Sequence, residues 1–239
     1  AVTEAAATDL GASTVSGTLG ITSTGAVTDS GTLAITGATT ISASGQNITL
    51  SDASSTFGTL ALTGANVAVT DAGAVDLGAS TVSGTLGITS GGAVTDSGTL
   101  AITGTTTISA SGQDITLNDA SSTFGTLALT GANVAVTEAA ATDLGASAVS
   151  GTLGITSTGA VTDSGTLAVT GATTISASGQ DITLSETAST FGTISLTGAN
   201  VAVTEAAATD LGASTVSGTL GITSTGAVTD SGTLAIAGA

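Results

Sequence analysis

The sequence predicts an all-β fold, a parallel β-helix (β-solenoid) wound from many short strands, and three observations carry that prediction. The stretch SGTLGITSTGAVTDSGTLAIT at residues 16–36 returns almost unchanged at 83–103, 150–170 and 217–237, each time 67 residues further on. A fixed period of that length marks a repeat architecture in which each unit stacks on the one before. Within a repeat, apolar residues alternate with Thr, Ser or Ala over short runs, the pattern of half-buried strands. No run carries the 3.6-residue period of an amphipathic helix. The nearest candidate, TEAAATDL at residues 3–10, is too short to stand as one.

In chain order, the first copy begins with two strands resting on single anchors, Leu10 and Val15. Leu19 and Ile21 set the next strand, Val27 a short one, and Leu33 with Ile35 another. Ile41, Ile48 with Leu50, Leu60 with Leu62, and Val67 with Val69 follow. Thr18, Thr22, Thr32, Thr36, Thr49, Thr59, Thr63 and Thr70 take alternating positions between these apolar residues, where a β-branched residue suits a pleated surface. Small residues separate the strands, as in Ser23-Thr24-Gly25, Asp29-Ser30-Gly31, Ser44-Gly45-Gln46 and Gly64-Ala65-Asn66. Gly and Asn suit tight corners because they tolerate left-handed backbone. SDASSTFG, residues 51–58, reads as an extra loop that lengthens one coil, with Phe57 folded over an apolar edge.

That makes roughly nine strands per repeat. With about three strands per coil, each repeat gives about three coils of near 22 residues. Every strand then pairs with the coils above and below, at about 4.8 Å per rung. An antiparallel sandwich would leave edge strands open. The chain is thus expected to be a single continuous solenoid over 1–239, with repeats 1–67, 68–134 and 135–201 and a partial repeat 202–239. It begins and ends inside a repeat and is expected to be a window of a longer chain. Differences between copies fit the scheme: Ile35 becomes Val169 and Leu60 becomes Ile194, so inward positions stay aliphatic. Asn47 becomes Asp114 and Asp181, Glu4 becomes Asp71, and Thr24 becomes Gly91, which reads as drift at outward and turn positions. Thr8 becoming Val75 marks a boundary position.

Composition narrows the function. The 239 residues include 17 carboxylates and no Lys, Arg, His or Cys, a formal charge of −17, and mean hydropathy is +0.56. Nucleic acid is excluded as a partner because phosphate binding rests on Lys and Arg. Anionic membrane surfaces are disfavoured for the same reason. Apolar runs are too short for a membrane span. With only carboxylates to move protons, and Ser or Thr without a partner base, catalysis has no apparatus, and the chain is read as not an enzyme. The carboxylate pairs Glu4 with Asp9 and Asp71 with Asp76 could in principle form a glycosidase dyad, but they recur in successive repeats, which fits structural roles better than a single active site.

No cofactor is expected beyond loosely bound calcium. The calcium candidates are Asp29, Asp96, Asp163 and Asp230 of the TDSG turns, expected to form a column, one every three rungs. The competing reading makes each Asp cap its own turn. The calcium β-roll signature GGxGxD does not occur. Thr-rich faces suggest an ice- or surface-binding solenoid as the alternative function, although no TxT row is expected to run rung after rung.

The alternation of ITSTGAVTDSGTLAITG, GQDITLNDASSTFGTLALTGANVAVT and DLGASTVSG resembles the strand repeats of large secreted bacterial adhesins of the filamentous haemagglutinin type. The resemblance covers essentially the whole sequence and rests on a pattern rather than a functional motif. It implies a right-handed parallel β-helix, export across the outer membrane, and a place on the cell surface. The function expected is therefore a structural extracellular fibre or adhesin stalk, a rigid acidic rod serving filament or matrix formation and adhesion. Its expected partners are copies of itself, end to end or laterally, and cell-surface or matrix components.

Overall fold

The computed structural model describes residues 1–238 as an all-β parallel β-solenoid of about 12 turns, with no helix among the described residues. Accordingly no helix there is long and apolar enough to cross a membrane. Thirty-three strands, numbered β1–β33 in chain order, fall into two compact units, Ala1–Gly125 and Thr126–Ala239.

In the first unit, β1 (Val2–Glu4), β4 (Leu19–Ser23), β7 (Thr39–Ser42) and β9 (Thr59–Gly64) stack in parallel as one wall. A second wall stacks β2 (Thr8–Leu10), β5 (Val27–Asp29), β8 (Ile48–Leu50), β10 (Val67–Asp71), β13 (Leu86–Ser90) and β16 (Thr105–Ser109). A short third side pairs β3 (Ser13–Val15) with β6 (Leu33–Ile35), continued by a bridge from Ala34 to Thr56. All nine strands anticipated in the first copy are present, because each has an aliphatic residue to bury and a Gly-, Ser- or Asn-bearing corner on either side.

The winding differs from expectation. Following one outward position, Thr3 pairs with Thr22, then Ser42, Thr63, Thr81 and Ala101, and finally Thr123. Turns are thus 18 to 22 residues along this column, and 17 where Leu60 meets Leu77. Coils of 21 to 22 residues occur where the loop at residues 51–58, or its copy, is inserted, and also just before it, as from Val27 to Ile48. A 67-residue repeat therefore takes nearer three and a half turns than three, with roughly three strands per coil.

The half turn reorganises the cross-section. The six-residue strand β9 is followed on its wall by two short strands, β11 (Val75–Leu77) and β12 (Ser80–Val82), with Gly78 and Ala79 forming a corner between them. These continue as β14 (Val94–Asp96) and β15 (Leu100–Ile102). Meanwhile the opposite wall straightens into the five-residue strands β10 and β13. The identical segments β4 and β13, both LGITS, consequently lie in different walls.

The second unit repeats the exchange. β19 (Val134–Glu138), β22 (Leu153–Ser157), β25 (Thr173–Ser176) and β27 (Thr193–Gly198) stack, and β27 then divides into β29 (Thr209–Leu211) and β30 (Ser214–Val216). On its other wall β18 (Thr126–Gly131) divides into β20 (Thr142–Leu144) and β21 (Ser147–Val149), and β28 (Val201–Glu205) later pairs with β31 (Leu220–Ser224).

Inside each unit, like stacks on like. Ile21, Ile41 and Leu62 occupy one buried column, and Val67, Leu86 and Thr106 another. Alternation puts every second residue inward, so the interior is largely aliphatic, with Ser, Thr and a few acids buried among the aliphatic side chains. Among these buried polar residues Thr39, Thr106 and Thr173 have hydroxyls with no hydrogen-bond partner. Two glycine classes fix the corners. Gly45, Gly112 and Gly179 have φ of 72°, 74° and 75°, where a side chain would be strained. A Cβ on Gly58 would sit 2.5 Å from the Thr36 carbonyl and 2.6 Å from that of Gly37, so adjacent turns touch through bare backbone there. The asparagine corner works differently, since among the described residues none other than Gly has positive φ. Asn66 instead accepts the Thr85 N–H and hydroxyl through Oδ1, at 3.0 and 3.2 Å, and its Nδ2 donates to Asn47 Oδ1 at 3.1 Å, bridging turns where the strands break.

Candidate functional site

The recurrent polar side chains form three constellations in each repeat. The first lies under the loop at residues 51–58. Ser55 is fully buried, and its Oγ accepts the Leu33 N–H at 2.9 Å. The Ser55 carbonyl accepts the Ala72 N–H, and Phe57, 6% exposed, closes the loop. Beneath it Asp71, 2% exposed, accepts the Phe57 N–H through Oδ2 at 3.0 Å and the Gly73 N–H through Oδ1 at 2.7 Å. In the second unit Glu205, 1% exposed, takes the same post, accepting the Phe191 N–H at 2.8 Å and the Thr209 hydroxyl at 2.7 Å. Glu138 is equally buried and accepts the Thr142 hydroxyl at 2.9 Å.

This corrects the assignment of Glu4, Asp71 and their equivalents to drifting outward positions. Only Glu4, in the first rung of the chain, is exposed. The aliphatic-polar alternation of VAVTD and VAVTE places the acid on the inner face with the valines. Desolvation pushes the Asp71 carboxyl above its ordinary range, against the lowering effect of the Gly73 and Phe57 N–H groups. One sequence signal was available: Glu138 and Glu205 come with a Thr four residues on, whereas the shorter Asp71 comes with Val75. The Thr-to-Val exchange follows the acid, because only the longer carboxylate reaches that hydroxyl.

The second constellation holds the calcium candidates. Asp29 accepts the Ser51 and Asp52 N–H groups at 2.8 and 3.1 Å, Asp96 those of Asn118 and Asp119 at 2.8 and 3.1 Å, and Asp163 those of Ser185 and Glu186 at 2.6 and 3.2 Å. Each Asp therefore caps the loop of the next turn, not its own turn. Asp230, in β32 (Val228–Asp230), is exposed. The expected column does not form: Asp29 in β5 and Asp96 in β14 lie in different walls of the first unit, as do Asp163 in β23 (Val161–Asp163) and Asp230 in β32 of the second. Among the described residues no three carboxylates are grouped closely enough to hold a metal ion.

The third constellation faces outward. Asp76 Oδ2 accepts the hydroxyls of Thr59 in the turn below and Ser97 in the turn above, both at 2.8 Å. Asp143 and Asp210 repeat the clamp. The Ser231 and Thr193 hydroxyls hold the Asp210 carboxyl below its ordinary range. Asp71 in β10 points inward and Asp76 in β11, on the other wall, points outward, so this pair cannot flank a glycosidic bond.

The outer surface also carries hydroxyl rows. In the first unit Thr3, Thr22, Ser42, Thr63 and Thr81 succeed one another rung by rung, and in the second Thr137, Thr156, Ser176, Thr197 and Thr215 do so. The neighbouring column, Gly20, Thr40 and Ala61, breaks the pattern, so the row is one residue wide and a paired TxT face is absent there. On the other wall a shallow depression of about 170 Å³ is floored by Ala68 and Gly87 and edged by Thr70, Thr89 and Thr107.

No curated protein and no solved structure is detectably similar to this chain. One family profile matches it four times in succession, over residues 1–63, 64–130, 131–197 and 198–239. The repeating β-solenoid turns, their loop-capping carboxylates and their aliphatic interior are thus those of a chain that belongs to the family described as Repeats of unknown function (DUF5649).

Proposed function

We propose that this β-solenoid is structural: part of an extracellular fibre or adhesin stalk at the cell surface, contributing length, stiffness and adhesion rather than chemistry. The observation that carries the reading is where the recurrent polar groups are used. Buried acids, buried serines and turn aspartates recur in successive copies, and each has at least one oxygen engaged by an N–H or hydroxyl group of the solenoid itself. Such a distribution suits a protein selected for continuity. The resemblance to filamentous haemagglutinin-type adhesin repeats supports the surface location. Negative-stain electron microscopy of the native assembly tests it: thin fibres on the cell surface are expected, and a compact intracellular particle would overturn it.

The single-file hydroxyl rows favour a second reading, an ice- or surface-binding face, since regularly spaced Thr can order water. Thermal hysteresis of the purified chain decides between them. Activity lost on Thr22→Tyr with Thr63→Tyr would establish the second reading, and its absence in the parent chain would remove it.

A further inference from the structure

Within each wall of the solenoid the stretches built from the longer strands differ from the rest of the surface in charge. On the wall of β4, β7 and β9 the outward residues are Gly20, Thr22, Thr40, Ser42, Thr59, Ala61 and Thr63, with no carboxylate on these three strands. On β10, β13 and β16 of the other wall the outward residues are again only Ala, Gly, Thr and Ser. In the first unit the acids on these same walls stand on the shorter strands, at Glu4, Asp9, Asp29, Asp76 and Asp96, and others lie in the connecting segments, at Asp52, Asp114 and Asp119.

These walls also have relief. The row of Thr70, Thr89 and Ser109 runs beside the Ala68–Gly87 depression, a ridge next to a groove. The groove is not imposed by the fold. A Cβ on Gly87 would meet nothing closer than the Val67 carbonyl at 3.8 Å, and one on Gly154 the Val134 carbonyl at the same distance. A mid-strand glycine is less stable there than an alanine would be, so its recurrence calls for a reason outside the turn that holds it.

We propose that copies of this chain pair side by side through these carboxylate-free stretches of longer strands, the Thr/Ser ridge of one seated in the Ala/Gly groove of the other. Charge selects the occupant. A chain carrying 17 carboxylates and no basic side chain repels its own copies except where no carboxylate stands. The half turn per repeat places the same ridge and groove on both walls, so each chain has two pairing faces and association continues beyond a dimer. The inference rests on the structural reading above and adds the contact surface.

Sedimentation velocity of the full 239-residue chain tests it in 20 mM and 500 mM NaCl at neutral pH, since salt screens the repulsion between surface carboxylates. The expected result is a monomer in low salt and concentration-dependent growth past the dimer in high salt. Thr40→Asp, Thr107→Asp and Thr174→Asp together place one carboxylate on each successive wall and are expected to abolish that growth. Ala53→Asp, Ala120→Asp and Thr187→Asp add the same charge in the exposed loops and are expected to preserve it, with circular dichroism confirming that both variants fold. A chain monomeric in high salt, or equal loss in both variants, overturns the pairing. Either result leaves the stalk reading to its own microscopy test, because a stalk needs no lateral partner.

Discussion

The loop closed by Asp71 and the one closed by Glu205 are copies of one structure built with carboxylates of different length. Asp71 ties the Phe57 N–H to the Gly73 N–H, two backbone groups close at hand. Glu205, one methylene longer, reaches from the Phe191 N–H to the Thr209 hydroxyl. Where the acid is short, Val75 fills the threonine's place with no polar atom to satisfy. A buried carboxylate in this chain has no cation to meet, so each one is stabilised by donors alone. The donor set, rather than a counter-charge, decides which acid fits.

Removing the acid should break the comparison most severely. Glu205→Ala leaves the Phe191 N–H and the Thr209 hydroxyl buried without an acceptor and is expected to cost about 2–4 kcal/mol, measured by urea unfolding. Exchanging the acids sharpens it. Asp71→Glu alone should cost about 1–3 kcal/mol, as an added methylene in a packed site does. Adding Val75→Thr should recover about 1 kcal/mol or more of that loss, a coupling that a double-mutant cycle reads directly.

Threonines without a partner make the contrast from the other side. Thr39→Val, Thr106→Val and Thr173→Val each remove a buried hydroxyl that has no hydrogen bond and should stabilise by about 1 kcal/mol apiece. Thr209→Val, which removes a bonded one, should destabilise by about the same amount.

The smallest effects concern pH. Asp71 has its folded value raised, so its contribution to stability is full below about 3.9, the ordinary carboxylate value, and is lost as pH rises through the folded value. Asp210, held low by hydroxyls, contributes above the ordinary value and loses that contribution as pH falls through its own. Carboxyl-carbon NMR titration should place the two midpoints on opposite sides of the ordinary value.

The strands were legible in the sequence because each needs only a local alternation, and Leu19 with Ile21 or Leu60 with Leu62 announces it without reference to the rest of the chain. Parallel stacking followed from the repeat itself. The half turn was not legible, because it depends on how many residues each corner consumes. The loop at 51–58 lengthens the turn it interrupts, and Gly78 and Ala79 shorten another, and alternation carries no signal for either. The placement of the candidate residues failed for a related reason. Asp29 and Asp71 bond to backbone N–H groups 22 and 14 residues away, and the sequence does not number those donors. Charge made Asp71 look like a surface residue, while its place in the VAVTD alternation pointed inward.

The three-and-a-half-turn repeat has an evolutionary consequence. Near-identical copies invite unequal recombination, which adds or deletes whole 67-residue units. Loss of one unit would swing every outward residue beyond the junction to the far side of the coil, whereas loss of two would restore its bearing. Viable length variants of such a gene should therefore differ by even numbers of copies wherever the direction a surface faces matters to the cell.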